Sequence, residues 1–109
     1  MNLRNLTPHA LVVLDADDTA LLTLPPCSTP PRIEQHIVTE LAGPGGVVVQ
    51  DIRYGGVVGL PGATPGTLLV VSRVVAREVS RHDLVFPDGE VRDADGRVVG
   101  CRRLARFCR

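Results

Sequence analysis

In the first quarter of the chain, apolar runs alternate with segments that favour turns. Residues 10–14 are apolar throughout and predict a strand covered on both faces, and residues 19–24 predict the strand that returns beside it. The acidic segment 15–18 between them predicts a hairpin turn, because short acidic side chains imitate backbone turns. Residues 25–31 are rich in proline and predict an extended crossing outside any sheet.

The middle of the chain continues with apolar and β-branched residues. Residues 32–41 alternate in part between apolar and polar positions and predict a strand, although a helix is the alternative. Residues 42–46 predict a glycine-rich turn. Residues 47–61 predict a second strand that passes through a pair of glycines, which indicate a kink or a bulge, and residues 62–66 predict a loop.

One helix is predicted, directly after a buried strand at residues 67–71. Ser72 is a suitable N-cap, so we expect the helix over about residues 72–80. Its apolar face is expected to hold Val71, Val74, Val75 and Val79. Three arginines at four-residue spacing, Arg73, Arg77 and Arg81, predict either a solvated face or a face toward an anion or a partner subunit.

The C-terminal third predicts short strands joined by turns. Residues 85–86 predict a strand, and residues 87–90 predict a turn because Pro, Asp and Gly cluster there. The Asp-Gly dipeptide inside residues 91–101 is a strong signal for a hairpin. Residues 102–109 predict either a last strand or a frayed end.

These elements predict an α+β fold: a mostly antiparallel β-sheet with one short helix packed on it. The length of 109 residues fits a single domain, residues 1–109. Valine is the commonest of the aliphatic core residues, aromatic residues are few and tryptophan is absent, so the core must be aliphatic. Valine fits a pleated surface better than a helix, which also favours a β-rich fold.

Charge is balanced overall but unevenly distributed. All twelve basic residues are arginine, and the formal net charge is zero. Residues 1–72 hold three arginines and six acidic residues, whereas residues 73–109 hold nine arginines and six acidic residues. A basic end on a neutral protein suits a small anionic ligand better than a long nucleic acid, which usually binds a strongly basic surface.

The cysteines and motifs argue against several classes of protein. Cys27, Cys101 and Cys108 are odd in number and lack the paired spacing of zinc sites, so we expect reduced thiols, no metal and a cytoplasmic location. Neighbouring arginines would lower the pKa of the Cys101 thiol, but a buried structural cysteine is the commoner case. No signal peptide, membrane span, nucleophile elbow or dinucleotide motif is visible, so we expect no enzyme and no cofactor.

Recognition of an anion is the chemistry that the residues favour most. Charged side chains follow the helix and occupy the last hairpin: Arg81, Asp83, Arg97, Arg102 and Arg103. Guanidinium groups bind phosphate in a forked geometry, and a carboxylate accepts from a ribose hydroxyl or a base amine. Ser72 and the first helical N–H groups add donors, and Tyr54 or Phe86 offers a ring for stacking. The alternative for Arg81 and Asp83 is a local salt bridge that closes the helix.

Several short motifs follow one another along nearly the whole chain. They are Asn5-Leu6-Thr7-Pro8-His9, Tyr54-Gly55-Gly56-Val57-Val58-Gly59-Leu60-Pro61, Val70-Val71-Ser72, Arg81-His82-Asp83-Leu84, Val91-Arg92-Asp93 and Gly96-Arg97-Val98-Val99-Gly100-Cys101-Arg102. This order resembles small phage and prophage proteins. Among characterised proteins it is most similar to the anti-Thoeris sponge family, which sequesters immune signals of the cyclic ADP-ribose type.

The resemblance implies a β-rich protomer whose helix packs at an interface between protomers, as a dimer or a hexamer. It implies pockets shared between protomers that bind a cyclic nucleotide and release it intact, with cyclic oligonucleotides at a second site in some members. Carried over by motif, the pocket residues would be Arg81, His82, Asp83 and Arg102. Leu69 and Gly56 stand where family members tend to have an aromatic and an acidic residue. This difference leaves the identity of the ligand open.

Two functions therefore follow from the sequence as hypotheses. The first is a phage anti-defence protein in the host cytoplasm, a homo-oligomer that sequesters a cyclic nucleotide signal and binds neither membrane nor long nucleic acid. The second is a phage structural or host-takeover protein that binds an acidic protein surface through its arginine-rich C-terminal part. A protein complex sensitive to salt would favour the second.

Overall fold

The computed structural model describes residues 1–108 and contains eight strands and one α-helix in that part of the chain. The elements are β1 (Asn2–Asn5), β2 (Leu11–Leu14), β3 (Ala20–Leu24), β4 (Arg32–Ala42), β5 (Val48–Val58), β6 (Thr67–Val70), α1 (Arg73–Glu78), β7 (Leu84–Arg92) and β8 (Val98–Ala105). A short 3₁₀ turn, Pro44–Gly46, joins β4 to β5. The fold is thus mostly β with one short helix, and the crossing at residues 25–31 lies outside the sheets as predicted.

The main sheet is mixed, so the prediction of a mostly antiparallel sheet was wrong. Its six strands run in the order β1-β6-β7-β8-β2-β3. Three neighbouring pairs are parallel, β1 with β6, β6 with β7, and β2 with β8, while β7 with β8 and β2 with β3 are antiparallel. For β6 and β7 the cause is the connection between them. Helix α1 carries the chain back to the end where β6 began, so β7 starts beside β6 and runs parallel to it.

Helix α1 starts where the sequence predicts and ends earlier. The Ser72 hydroxyl accepts a hydrogen bond from the backbone N–H of Val75 at 3.3 Å, which confirms the N-cap. The helix ends at Glu78 and buries only Val75 and Ala76 against the sheet. Val74 is 47% exposed, so its placement on the buried face was wrong. One residue step turns the side chain about 100° around the helix, away from the sheet.

Strand β7 runs unbroken through residues 87–90, where a turn was predicted. Pro87 pairs with Leu104 of β8, and Asp88 pairs with Arg103. Gly89, one of the residues that suggested a turn, has a φ of +73°, so the backbone departs from regular strand geometry at this residue without leaving the strand. Long-range pairing with β8 therefore overrides the local preference for a turn, and β8 settles the C-terminal alternatives as a strand through Ala105.

Two clusters of buried side chains cover the opposite faces of the central strands. Because successive side chains of a strand point to opposite faces, Leu69 belongs to one cluster and Val70 to the other. The cluster under α1 contains Leu6, Leu69, Val71, Val75, Ala76, Leu84 and Phe86. The cluster on the other face contains Leu11, Val13, Val70, Val85 and Cys101. Cys101 is therefore a core residue.

The Asn5-Leu6-Thr7-Pro8-His9 motif closes a corner of the fold. Asn5 is 9% exposed, and its side-chain N–H groups donate to the carbonyl oxygens of His9 and Pro25, both at 2.9 Å. Its side-chain oxygen accepts from the backbone N–H of Thr7 at 3.0 Å and from the Thr7 hydroxyl at 2.7 Å. The motif thus ties β1, an edge strand not predicted from sequence, to the proline-rich crossing.

Strands β4 and β5 form a separate two-stranded hairpin, here called the arm. Only its base packs on the core, through Ile33 and Val57. Each strand of the arm is eleven residues long, and a register shift beside Gly55 and Gly56 confirms the predicted bulge. The radius of gyration is 16.9 Å, whereas a compact domain of this length has about 13 Å, so the arm extends the molecule.

Candidate ligand-binding site

A depression opens where the parallel strands β1, β6 and β7 begin. Its volume is about 550 Å³, within the range of about 300–1,000 Å³ that small-molecule sites occupy. The lining residues are Met1, Ala63, Thr64, Pro65, Gly66, Thr67, Leu68, His82 and Asp83. The predicted site residues His82 and Asp83 thus share a surface with the loop that precedes β6.

That loop is fixed by backbone hydrogen bonds. The N–H of Asn2 donates to the carbonyl oxygen of Gly66 at 2.7 Å, and the N–H of Thr67 donates to that of Thr64 at 3.1 Å. Gly66 has a φ of +76°, a conformation that favours glycine. The loop that forms this side of the depression is therefore held in place by the protein itself. The sequence predicted only a loop here, although its Thr-Pro-Gly segment is a turn signal.

Arg81 and Asp83 form a forked ion pair at the edge of the depression. The guanidinium Nε and Nη2 donate to the two carboxylate oxygens of Asp83 at 2.9 and 2.6 Å, and Nη1 donates to the carbonyl oxygen of Pro61 at 3.0 Å. The side chains are 25% and 16% exposed. This is the local salt bridge that the sequence left as an alternative, and it also anchors the loop before β6.

The pair holds both groups in their charged forms. The hydrogen bond from Arg81 lowers the pKa of Asp83, and the same bond raises the pKa of Arg81, while partial burial opposes both shifts. A guanidinium has five N–H groups, and three of those of Arg81 are used. Two N–H groups of a fixed cation therefore remain for a further acceptor.

His82 lies between this pair and the C-terminal segment. Its side chain is exposed and lines the depression together with a second, much smaller pocket formed with Ser80, Arg81 and Phe107. Its carbonyl oxygen accepts from Nη1 of Arg106 at 3.0 Å, which fixes the backbone of the loop. The imidazole is thus presented to solvent from an anchored position.

The other predicted site residues do not line the depression. Arg102 forms an ion pair with Asp18 at 2.7 Å and donates to the carbonyl oxygen of Asp15, so it closes the turn between β2 and β3. Arg97 is exposed in the turn between β7 and β8, and Tyr54, which is 47% exposed, lies on the arm. Ser72 caps the helix.

Arg103 belongs to a further cluster on the face of β7 and β8. It donates to Asp88 at 2.9 Å, and Arg73 donates to the other oxygen of the same carboxylate at 2.9 Å. Burial raises the pKa of Asp88, but the attraction of Arg103 and the hydrogen bonds from both arginines lower it more. The guanidinium of Arg73 also lies 4.7 Å above the ring of Phe86.

Ion pairs neutralise much of the arginine-rich half of the chain. Carboxylates pair with at least five arginines of this half: Arg73, Arg81, Arg92, Arg102 and Arg103. At least five of the nine arginines in this half are therefore held by carboxylates, although only Asp18, the partner of Arg102, comes from the other half. This leaves fewer free guanidinium groups for an acidic protein surface than the composition suggested.

Cys101 does not have the activated thiol that neighbouring arginines could produce. It is 5% exposed, and burial raises the pKa of its thiol. Among residues 1–108, no group of three or more His, Cys, Asp or Glu side chains is arranged to hold a metal ion. The same residues include no helix with the length and apolar character needed to cross a membrane.

The depression combines a volume suited to a small molecule with the exposed imidazole of His82 and the anchored Arg81–Asp83 pair at its edge. Comparisons of the chain with protein-family models, with curated proteins and with solved structures found no match.

Proposed function

We propose that this chain is a phage anti-defence protein that binds a cyclic nucleotide immune signal and sequesters it intact in the host cytoplasm. The observation that carries the proposal is the depression beside the forked Arg81–Asp83 pair. The order of motifs, which resembles the anti-Thoeris sponge family, supports the ligand class. In this proposal the protein is not an enzyme and uses no cofactor.

Each part of a cyclic nucleotide has a suitable group in the depression or beside it. Arg81 does not line the depression but lies beside it, next to His82 in the smaller pocket, and its two remaining N–H groups are donors for a phosphate oxygen there. The carboxylate of Asp83 keeps acceptor capacity for a ribose hydroxyl or a base amine. Leu68 and Pro65 offer an apolar surface for one face of a base, and the ring of His82 offers a flat partner for the other.

The residues around the depression favour retention without cleavage. Ser, Cys, Lys and Tyr are not among its lining residues in the described part of the chain, and Asp83 is held as a carboxylate by Arg81. The depression is lined by the hydroxyls of Thr64 and Thr67, but within residues 1–108 neither hydroxyl donates a hydrogen bond to His82 or Asp83, whereas an activated nucleophile needs a neighbouring base. The residues therefore favour binding over bond breakage.

Titration calorimetry with a panel of cyclic nucleotides tests the proposal. The panel includes cyclic ADP-ribose and cyclic di- and trinucleotides. We expect one member to bind and His82→Ala to weaken it by about tenfold or more, the loss of roughly one good contact. His9→Ala is the matched control, because His9 is also exposed but lies outside the depression. Equal affinities of the two variants, or no binding by the wild type, would contradict the proposal.

A further inference from the structure

The arm exposes more apolar surface than an isolated hairpin supports. Among its large apolar side chains, Ile37 is 59% exposed, Ile52 is 46% exposed and Tyr54 is 47% exposed. Two-stranded hairpins are only marginally stable in water unless a further strand or another surface covers them. The arm has no such cover within residues 1–108, since only its base reaches the core.

Strand β5 also leaves one edge free. It pairs with β4 along one side, and in the described residues no strand lies on the other. Unpaired edges of this length readily accept another strand, and natural proteins usually protect them with charge, proline or a bulge. The arm has a second register shift, between Ile37 and Thr39, whose extra residue is Val38 of β4. Strand β5 itself is therefore regular from Gln50 to Tyr54.

We propose that two copies of this chain associate through the outer edges of β5, antiparallel about a two-fold axis at Ile52. The sequence around that axis is complementary to itself, because Asp51 and Arg53 flank Ile52 with opposite charges. In this register Ile52 faces the partner's Ile52, and Asp51 faces the partner's Arg53. Two-fold symmetry repeats the ion pair, so each dimer contains it twice.

The side chains on each face agree with this register. Ile52 pairs with Ile37 inside the arm, so the four-stranded sheet would carry a continuous row of four isoleucines across the axis. Gln50 would lie opposite the partner's Tyr54.

The charges of the arm are free to make these pairs. Within the described residues, the guanidinium of Arg53 has no ion pair or side-chain hydrogen bond. Asp51 accepts only the hydroxyl of Thr39, which leaves its second oxygen for an arginine. The same association through β4, about Ile37, which pairs with Ile52, would place Glu34 opposite the partner's Glu40 twice. Charge complementarity therefore selects β5 and a second copy.

This interface is independent of the depression, and it differs from the helix-based interface that the family resemblance implies. It converts two marginal hairpins into one four-stranded sheet with all inner edges paired. The ligand-binding surfaces of the two copies stay open, because none of their lining residues belongs to the arm.

A charge swap tests the register directly by sedimentation velocity over a range of protein concentrations. We expect a wild-type dimer, and we expect Asp51→Arg or Arg53→Asp alone to raise its dissociation constant by about tenfold or more, because like charges then face each other. The double variant Asp51→Arg/Arg53→Asp restores opposite charges and should return the constant to near the wild-type value. Asp95→Arg is the control, because Asp95 is exposed in the turn between β7 and β8.

A second measurement does not depend on charge. Ile52→Cys, in a Cys108→Ser background that removes the exposed native thiol, should form a disulfide-linked dimer on mild oxidation, since two-fold related residues at the axis are within disulfide range. Circular dichroism verifies the fold of each variant. A wild type that stays monomeric, a dimer that survives both single reversals, or a double variant that does not recover would each overturn the proposal.

Discussion

Asn5→Ala tests whether the N-terminal motif stabilises the fold. The buried side chain of Asn5 takes part in four hydrogen bonds, two to carbonyl oxygens and two from Thr7. A net hydrogen bond contributes about 0.5–1.5 kcal/mol, and water can replace part of what is lost around half-buried Thr7. We therefore expect Asn5→Ala to lower the free energy of unfolding by about 2–4 kcal/mol.

Urea denaturation at 25 °C, followed by circular dichroism, measures this change by linear extrapolation. Asn2→Ala is the matched control, because Asn2 lies in the same strand with an exposed side chain, and its cost should stay below about 0.5 kcal/mol. In a double-mutant cycle, Thr7→Ala should cost much less in the Asn5→Ala background than in the wild type. A cost below about 1 kcal/mol for Asn5→Ala, or additive effects in the cycle, would refute the reasoning.

Three further predictions concern the helix, the ion pair and the thiols. Ser72→Ala should lower the free energy of unfolding by about 1 kcal/mol, measured by urea denaturation, because the N-cap hydrogen bond is lost; no change would contradict the cap. Asp83→Asn should cost about 1–2 kcal/mol near neutral pH. Because the pKa of Asp83 is lowered on folding, this difference should start to shrink as the pH falls to about 4 and disappear only below the lowered pKa of the folded state, and a constant difference would count against the pair. In native protein a thiol reagent should label exposed Cys108 but label Cys101 only after denaturant is added. Peptide mass spectrometry measures both labelling rates, and equal rates in native protein would contradict the burial of Cys101.

Local features of the fold follow from the sequence because their causes lie within a few residues. Ser72 needs only the helical N–H groups that follow it, and it caps α1 as expected. The hairpin at Asp95-Gly96 needs only its own turn, where Gly96 has a φ of +80° and donates to the carbonyl oxygen of Asp93 at 3.0 Å. Such interactions are fixed by short-range geometry.

Features set by distant pairing do not follow in the same way. Strand β1 exists because Asn2–Asn5 runs parallel to β6, whose residues lie far along the chain. Strand β7 passes through Pro87 and Gly89 because β8 supplies its partners. Composition and period describe a strand's own residues but carry no signal for which strand lies beside it, so the parallel pairs escaped prediction.

The same division applies to the candidate site. Arg81 and Asp83 are two residues apart, and their salt bridge was one of the two alternatives that the sequence left open. The depression also needs Met1 and the loop before β6, which only the parallel pairing of β1 and β6 brings together. Arg102 was expected in the pocket, but its partner Asp18 lies in a distant turn that the sequence does not link to it.

Recovery of the bound ligand tests most directly whether the protein sequesters a signal without cleaving it. Purified protein is incubated with each cyclic nucleotide of the panel, freed of unbound ligand, denatured, and its supernatant is analysed by mass spectrometry. The account predicts that one cyclic nucleotide returns with its mass unchanged, at up to about one per protomer, and that His82→Ala returns much less than His9→Ala. Recovery of a hydrolysed product, or of no nucleotide from any incubation, would contradict it.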